Sequence, residues 1–442
     1  MLRVILTALT LTRAGDGLPV KSPTEVGMSS TRLNAIERVV ERGIKAGGYP
    51  GASVIVGRKG AAVFEKGFGK LSWSESSTAV DAQRTIYDIA SLSKVVGTTT
   101  AIMILYDENK IRLDDPVVNY IPTFGGGDKD QVTIRQLLTH TSGLPAGRDI
   151  WRIAQTPLEA RALVLNTPLE GRPGAQYIYS DLGADVLGLL IEVVSGEPLD
   201  KFLTRRVFEP LGMNETMYRP ADSLRYRIAP TEVTPPRGYP LRGEVHDENA
   251  YALGGVAGHA GLFSTAADLS VFAQMMLNGG EYNGVQIISK PTVELFTSRA
   301  FGHRALGWDT AEGDYGSGRY LGPTAYGHTG FTGTSMWIDP EREMFVILLT
   351  NRVHAARALR PAKVISDVRA DLSDAAVLSV LDGPKLTAGS KAFRADREVG
   401  WNPPPRASRR RHGSSRHHSI ASATSKSRSG TAKKKKSSKK SH

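Results

Sequence analysis

Tyr87-Asp88-Ile89-Ala90-Ser91-Leu92-Ser93-Lys94 is the stretch around which the rest of the chain can be read. A short apolar approach delivers a serine and, three residues on, a lysine into a helical pattern that continues through Val95, Val96, Ile102, Met103 and Leu105. Residues three apart share a helix face, so local geometry alone brings the Ser91 hydroxyl to the Lys94 amine. In this setting S-x-x-K is a serine hydrolase signature. A serine hydroxyl is a weak nucleophile at neutral pH and needs a base beside it. Lys94 can be that base only where burial or nearby positive charge lowers its pKa from about 10.4 toward 7, roughly 4 kcal/mol. Such a shift requires a closed pocket with further charged groups, so partners are expected downstream.

The 442 residues contain no cysteine, which excludes thiol chemistry, disulfides and Cys-based zinc sites. No apolar run is long enough for a membrane span. The formal charge of +12 is a property of one end: residues 401–442 hold 13 of the 56 Lys and Arg and no acid, leaving residues 1–400 at −1. The main body therefore gives no reason to expect a nucleic-acid substrate. From Asn402-Pro403-Pro404-Pro405 onward the composition turns to Ser, Arg, Lys and His, and a disordered basic tail over 396–442 is expected. Its Lys433–Lys436 and Lys439-Lys440 runs suit an anionic polymer or surface, or simply a solvated end. At the other end, Arg3 followed by Val4 to Thr12 has the shape of a short signal h-region without an A-x-A site, so 1–24 reads as an extension or an imperfect signal peptide. Export is favoured, with a cytoplasmic location the alternative.

Between these ends, Leu33, Ile36, Val39, Val40 and Ile44 predict an amphipathic helix over Ser30 to Ala46. Ala52–Val56 and Ala61–Phe64 predict a hairpin through Gly57–Gly60. Residues 111 to about 250 are helical patterns broken by Pro and Gly, among them 133–138, 158–165 and 181–194. Thr265 to Asp268 reads as a capping box. Strands return at 334–338 and 344–349, joined by Asp339-Pro340-Glu341-Arg342. Strands, a helical middle and strands again predict an α/β (α+β) fold, an antiparallel sheet flanked by helices with an inserted mainly helical domain at about 88–250. The hydrolase domain is bounded at 25–395, and a cleft at the junction is the natural site.

Two more stretches bear on chemistry. Tyr177-Ile178-Tyr179-Ser180-Asp181 sets an aromatic pair before a helix that Asp181 is placed to N-cap, and beside an S-x-x-K pair Tyr179 gains a proton-relay role. Gly327-His328-Thr329-Gly330-Phe331-Thr332-Gly333 leads into a strand, and its glycines allow close backbone approach to a ligand. The order S-x-x-K, Y-x-[ND], [KH]-T-G resembles the penicillin-recognising serine hydrolases. It is most similar to the class C β-lactamase-like branch, which also holds DD-peptidases, D-aminopeptidases and family VIII esterases. Leu137 to Pro145 and Gly258 to Thr265 match as well, and the likeness covers roughly residues 25–370.

The resemblance implies the β-lactamase/transpeptidase-like fold, with Ser91 as the acylated nucleophile, Lys94 as its proton partner and Tyr179 as general base and later acid. It implies that Asp181 stands for an amide-contacting asparagine and His328 for the lysine of K-T-G. Thr329 and Gly330 would then line the substrate edge, and the N–H groups of Ser91 and Phe331 would form the oxyanion hole. No metal or other cofactor is required. Two departures matter: His328 is mostly neutral at pH 7 and weakens carboxylate recognition, and Asp181 adds a negative charge that favours protonated Lys94 and repels anions. If His328 holds a carboxylate, rates with anionic substrates should fall as pH rises through about 6 to 7. His140 and His259, in turn-rich segments, read as structural. The expected activity is hydrolysis of an ester, amide or peptide through an acyl-serine, carboxylesterase-like or directed at D-amino-acid peptides. A β-lactamase or penicillin-binding DD-carboxypeptidase is the first alternative. A non-catalytic binder of cell-wall peptides is the second, against which the intact Ser91, Lys94 and Tyr179 argue.

Overall fold

The computed structural model describes residues 17–311, 316–354, 362–386 and 391–401. The basic run from 402 onward and the h-region-like residues before 17 lie outside them. Eleven strands occur among the described residues: β1 (Gly51–Arg58), β2 (Ala61–Gly69), β3 (Tyr87–Asp88), β4 (Met217–Tyr218), β5 (Leu262–Ser264), β6 (Glu281–Tyr282), β7 (Val285–Gln286), β8 (Asp309–Thr310), β9 (Tyr326–Thr329), β10 (Ser335–Asp339) and β11 (Met344–Thr350). Six of them form an antiparallel sheet in the order β2-β1-β11-β10-β9-β8. The N-terminal hairpin thus zips onto the last strand, Ala52 opposite Thr350 and Arg58 opposite Met344.

Both faces of this sheet are covered, which is why β1 and β11 read as continuous apolar runs. Val54, Val56, Met344, Val346 and Leu348 pack with Ile36, Val39 and Val40 of the helix Ala35–Lys45 and with Val368 and Leu372 of the helix Ala362–Ser379. Ile55, Phe345, Ile347 and Leu349 face the other way, into a larger core with Val95, Val96 and Ile102 from the chain after Ser91. Each fully buried Val, Leu or Ile contributes roughly 1.5–3 kcal/mol. Between β3 and β5 the regular elements are helices apart from β4, among them Ile134–Leu138, Pro157–Leu165 and Asp181–Ser195, joined by loops.

Several local expectations need correction. The helix predicted over Ser30 to Ala46 is two, Ser30–Leu33 and Ala35–Lys45, parted at Asn34. Ser180, not Asp181, is the N-cap of the helix Asp181–Ser195, its hydroxyl accepting from Gly183 N–H. Thr265 caps the helix Ala266–Leu277 as expected, but Asp268 does not reciprocate: its carboxylate accepts from Thr216 Oγ1 and Glu215 N–H instead. The helix Ala362–Ser379 was not foreseen, because Asp367, Asp371 and Asp374 on it are buried and break the apolar pattern.

Candidate active site

Ser91 sits where β3 gives way to the helical segment. Asp88 shapes that corner: its buried carboxylate accepts from Ala90 N–H at 2.8 Å and from His246 N–H at 2.7 Å. Ala90 is thereby held at a φ of 47°, a left-handed conformation that costs a residue with a Cβ roughly 1–2 kcal/mol. The chain then turns helical, and Lys94 Nζ donates to Ser91 Oγ at 2.9 Å. The three-residue spacing does what the sequence requires of it.

Lys94 is buried, and its ammonium is held on several sides. Besides Ser91 it donates to His259 O at 3.1 Å and pairs with Asp181 Oδ1 at 2.7 Å, while the Tyr179 ring centroid lies 5.1 Å away. Burial alone pushes its pKa down, but the Asp181 charge, followed by Tyr179, overcomes burial and holds Lys94 above its ordinary value. A depressed, base-like Lys94 is therefore not found; the effect anticipated for Asp181, protonation of the lysine, prevails. His259, expected to be structural, anchors that carbonyl: its ring lies between Asp185 Oδ1 at 2.7 Å and Asp247 Oδ1 at 2.8 Å. The segment that carries it runs into β5, where Phe263 pairs with Asp88 of β3 and Leu262 N–H donates to Ser93 Oγ. His140 is likewise a support, accepting Ser180 N–H on Nδ1 at 3.0 Å with its ring 4.6 Å from that of Tyr179.

The glycine-rich loop closes the site from the sheet edge. Thr332 Oγ1 donates to Asp88 O at 2.8 Å and Thr334 Oγ1 to Ile89 O at 3.0 Å, stitching the loop to the nucleophile corner. Gly330 is required by this approach, since a Cβ there would lie 2.1 Å from Thr334 Oγ1 and 2.5 Å from Ile89 O. Its own N–H is spent on Thr334 O at 2.7 Å, so Gly330 supplies shape and not an oxyanion donor.

His328 faces Met336 across β9 and β10 and is buried. Its Nδ1 bonds Thr329 O at 2.8 Å, while Nε2 lies 3.9 Å from Asp309 Oδ2 with no hydrogen-bond partner among the described residues. Burial, opposed by Asp309 and reinforced by Arg304 and Lys94, pushes its pKa down to about 4. Titration of His328 between pH 6 and 7 is thus replaced by a ring that stays neutral throughout that range.

Ser91, Tyr179, His328, Thr329, Gly330 and Phe331 line one cleft of about 690 Å3, and Asp181 meets it through Lys94. Arg304, Asp309 and Arg369 line it too, and none was legible as a site residue. Arg304 is buried, pairs with Asp309 and donates to Gly307 O at 3.0 Å. Arg369 reaches in from the helix Ala362–Ser379 and donates through Nη2 to Gly330 O at 2.6 Å and Thr334 O at 2.9 Å.

Known proteins resemble this chain in sequence and in fold. The family model described as Beta-lactamase matches residues 36–369. A protein of Escherichia coli (strain K12) named "Putative D-alanyl-D-alanine carboxypeptidase" is 33% identical over 397 residues, covering 80% of this chain and 91% of its own. One of the same name from Salmonella agona (strain SL483) is 35% identical over 381 residues, 76% and 87% of the two chains. Among solved structures, a penicillin-binding protein homologue from Caulobacter crescentus superposes with a TM-score of 0.63 at 22% identity, covering 80% of this chain and 99% of that one. EstCE1, described as a hydrolase with promiscuous acyltransferase activity, gives 0.63 at 21%, with 78% and 99% covered. The antiparallel sheet with helices on both faces, the cleft beside Ser91 and these matches place the chain in the β-lactamase family, as a serine hydrolase.

Proposed function

We propose that the protein is an acyl-serine peptidase acting on peptides that end in a D-amino acid, of the DD-carboxypeptidase type. The observation that carries the reading is the Ser91 Oγ to Lys94 Nζ hydrogen bond of 2.9 Å inside the cleft that Tyr179 also lines. With Lys94 held protonated by Asp181, Tyr179 acts as the tyrosinate, its phenolate oxygen taking the proton of Ser91. Ser91 Oγ bonds the scissile carbonyl carbon, the N–H groups of Ser91 and Phe331 receive the oxyanion, and the C–N bond breaks as Tyr179 returns the proton to the leaving amine. Water then attacks the acyl ester, gives its proton to Tyr179, and frees Ser91 as the proton returns. The D-alanyl specificity is supported by the names of the relatives, whose length this chain nearly spans. Such substrates belong to the cell envelope, so this reading makes the protein an exported one with its basic end available to anionic wall or membrane surfaces. No helix among the described residues is long and apolar enough to cross a membrane.

A second reading, carboxylesterase, is favoured by the neutral His328 in the position where K-T-G carries a charge. Both are tested by incubating the protein and Ser91→Ala with a D-Ala-D-Ala-terminated peptide, its L-Ala-terminated isomer, a p-nitrophenyl ester and a β-lactam. D-alanine release confined to the first peptide, absent in Ser91→Ala, with a covalent adduct mapped to Ser91, is the expected result. Ester turnover without D-alanine release would select the second reading. Absence of turnover and adduct with every compound would overturn both.

A further inference from the structure

A second cavity, of about 760 Å3, shares no lining residue with the catalytic cleft. Its size falls within the roughly 300–1,000 Å3 of small-molecule sites. Trp151, Tyr239 and Tyr251 line it, and the two tyrosines are left 47% and 39% exposed. Arg237 covers one face of Tyr251 with its guanidinium 4.4 Å from the ring centroid, which leaves the other face to the cavity. Flat apolar rings in a solvent-exposed hollow suit a ligand with a ring of its own, stacked against them.

Charge sets the second requirement. Arg219, Arg225, Arg242, Asp222 and Glu244 line the same cavity. Arg219 pairs with Asp200 at 2.6 Å, and Glu244 accepts from the Tyr239 hydroxyl at 3.0 Å and faces Arg237 at 3.7 Å. Arg225 and Arg242 are left against Asp222. Arg242 spends Nε on Ile228 O and Nη2 on Tyr226 O, both at 2.8 Å, which fixes the planar fork and leaves its Nη1 side for a ligand. Arg225 stands beside it: a Cβ at Gly243 would lie 4.0 Å from Arg225 Cγ, and burial, then the Arg225 charge, push Arg242 below its ordinary range. No carboxylate among the described residues pairs with either arginine. Two like charges held together in this way are relieved by an anion between them, and a dianion matches them better than a monoanion.

We propose that this cavity is a second binding site, for a phosphate monoester carried on a ring, with the phosphate between Arg225 and Arg242 and the ring against Tyr239 and Tyr251. The ring is that of a sugar or of an aromatic group. The assignment is independent of the peptidase reading, since none of these residues takes part in acyl transfer.

The full chain is titrated by ligand-observed NMR with phenyl phosphate and glucose 6-phosphate, beside phenol and glucose, as wild type, Arg225→Gln and Arg242→Gln. At least one ester is expected to bind about tenfold or more tightly than its neutral parent, the better of the two telling an aromatic from a sugar source, and that preference should shrink to about twofold in each variant. Arg242→Gln gives up two backbone contacts along with the charge, so the exposed Arg225 supplies the variant that spares the fold. Hydrolysis of a p-nitrophenyl ester by Arg225→Gln should accordingly stay within about twofold of wild type in kcat/KM. No preference for either phosphate, or a preference that persists in both variants, overturns the assignment. So does competition between the phosphate and the p-nitrophenyl ester that survives in Arg225→Gln, because it places the ligand in the catalytic cleft.

Discussion

Asp181→Asn keeps the size of the side chain and removes the charge that sets the state of Lys94. At 2.7 Å the pair attracts by about 6 kcal/mol for an effective dielectric constant of about 20. Asp181 is 35% exposed, so solvent screening removes at least half, leaving about 2–3 kcal/mol, or roughly 2 pH units of Lys94 protonation. Burial, which opposes the ammonium, is untouched by the substitution. Lys94 in the variant should therefore fall by roughly 2 pH units toward its ordinary value of about 10.4, with Tyr179 still holding it up. Since the proposed mechanism needs the ammonium, the alkaline limb of kcat/KM moves down into the measurable range.

The assay is a pH profile of p-nitrophenyl ester hydrolysis from pH 6 to 10, spontaneous hydrolysis subtracted, for wild type and variant. A flat wild-type profile above neutrality and a variant that begins to decline at the alkaline end, near pH 10, is the expected pair. Stability follows the same sign. A lysine whose folded pKa is raised contributes stability that is complete below its unfolded pKa and lost as pH rises through the folded one. At pH 7 the variant should accordingly lose about 2–3 kcal/mol in urea unfolding. Superimposable profiles, or an alkaline limb that moves upward, would show that Lys94 is not governed by Asp181.

Three further outcomes follow from the same geometry. His328 is pushed down to about 4 against about 6.5 unfolded, so the unfolded chain binds its proton first and stability falls as pH drops through that interval; at pH 5 the loss is about 2 kcal/mol relative to pH 7, and urea midpoints of His328→Gln should show it removed. Gly330→Ala forces the loop away from Ile89 O and should lower ester kcat/KM by about 100-fold, with Thr332 and Thr334 unable to keep both of their bonds; a rate within about threefold of wild type would mean the loop can yield. His259→Gln leaves Asp185 and Asp247 facing each other and should cost about 3–5 kcal/mol; because His259 is held well above its ordinary range chiefly by Asp185 and then Asp247 against burial, its stabilisation is full below about pH 6.5 and lost as pH rises through the folded value, which differential unfolding at pH 7 and pH 10 would reveal.

What could be read from the sequence is what local spacing encodes. Ser91 and Lys94 meet because they are three apart in a helical turn, and β1 and β2 pair because a short turn joins them. The role of Asp181 was legible as chemistry, a carboxylate beside an ammonium, although its place at the first helical position instead of the cap was not: Ser180 and Asp181 are both good N-caps, and only the contact of Ser180 Oγ with Pro145 O at 2.6 Å decides between them. The hidden part of the site is made of long-range pairs. Arg304 looks like an ordinary surface arginine until Asp309 and the Tyr179 ring are found around it. Arg369 is separated by 39 residues from the carbonyl it holds, on a helix whose buried aspartates disguise its inward face.

The same reasoning explains why the histidine of the H-T-G loop misleads when read alone. A ring at neutral pH is judged by its intrinsic value, about 6.5, and by sequence neighbours that here are all small and uncharged. The groups that decide its state, Lys94, Arg304 and Asp309, arrive from elsewhere in the chain, and burial outweighs the one that would protonate it. Once the ring is fixed as neutral, any carboxylate the cleft accepts must find its charge elsewhere. Arg304, Arg352 and Arg369 line the cleft, Arg304 in a pair with Asp309. A change of His328 to lysine would then place a fixed cation at the H-T-G edge, and the ratio of kcat/KM for a peptide acid to that for its amide should rise; an unchanged ratio would show that this edge does not meet the carboxylate.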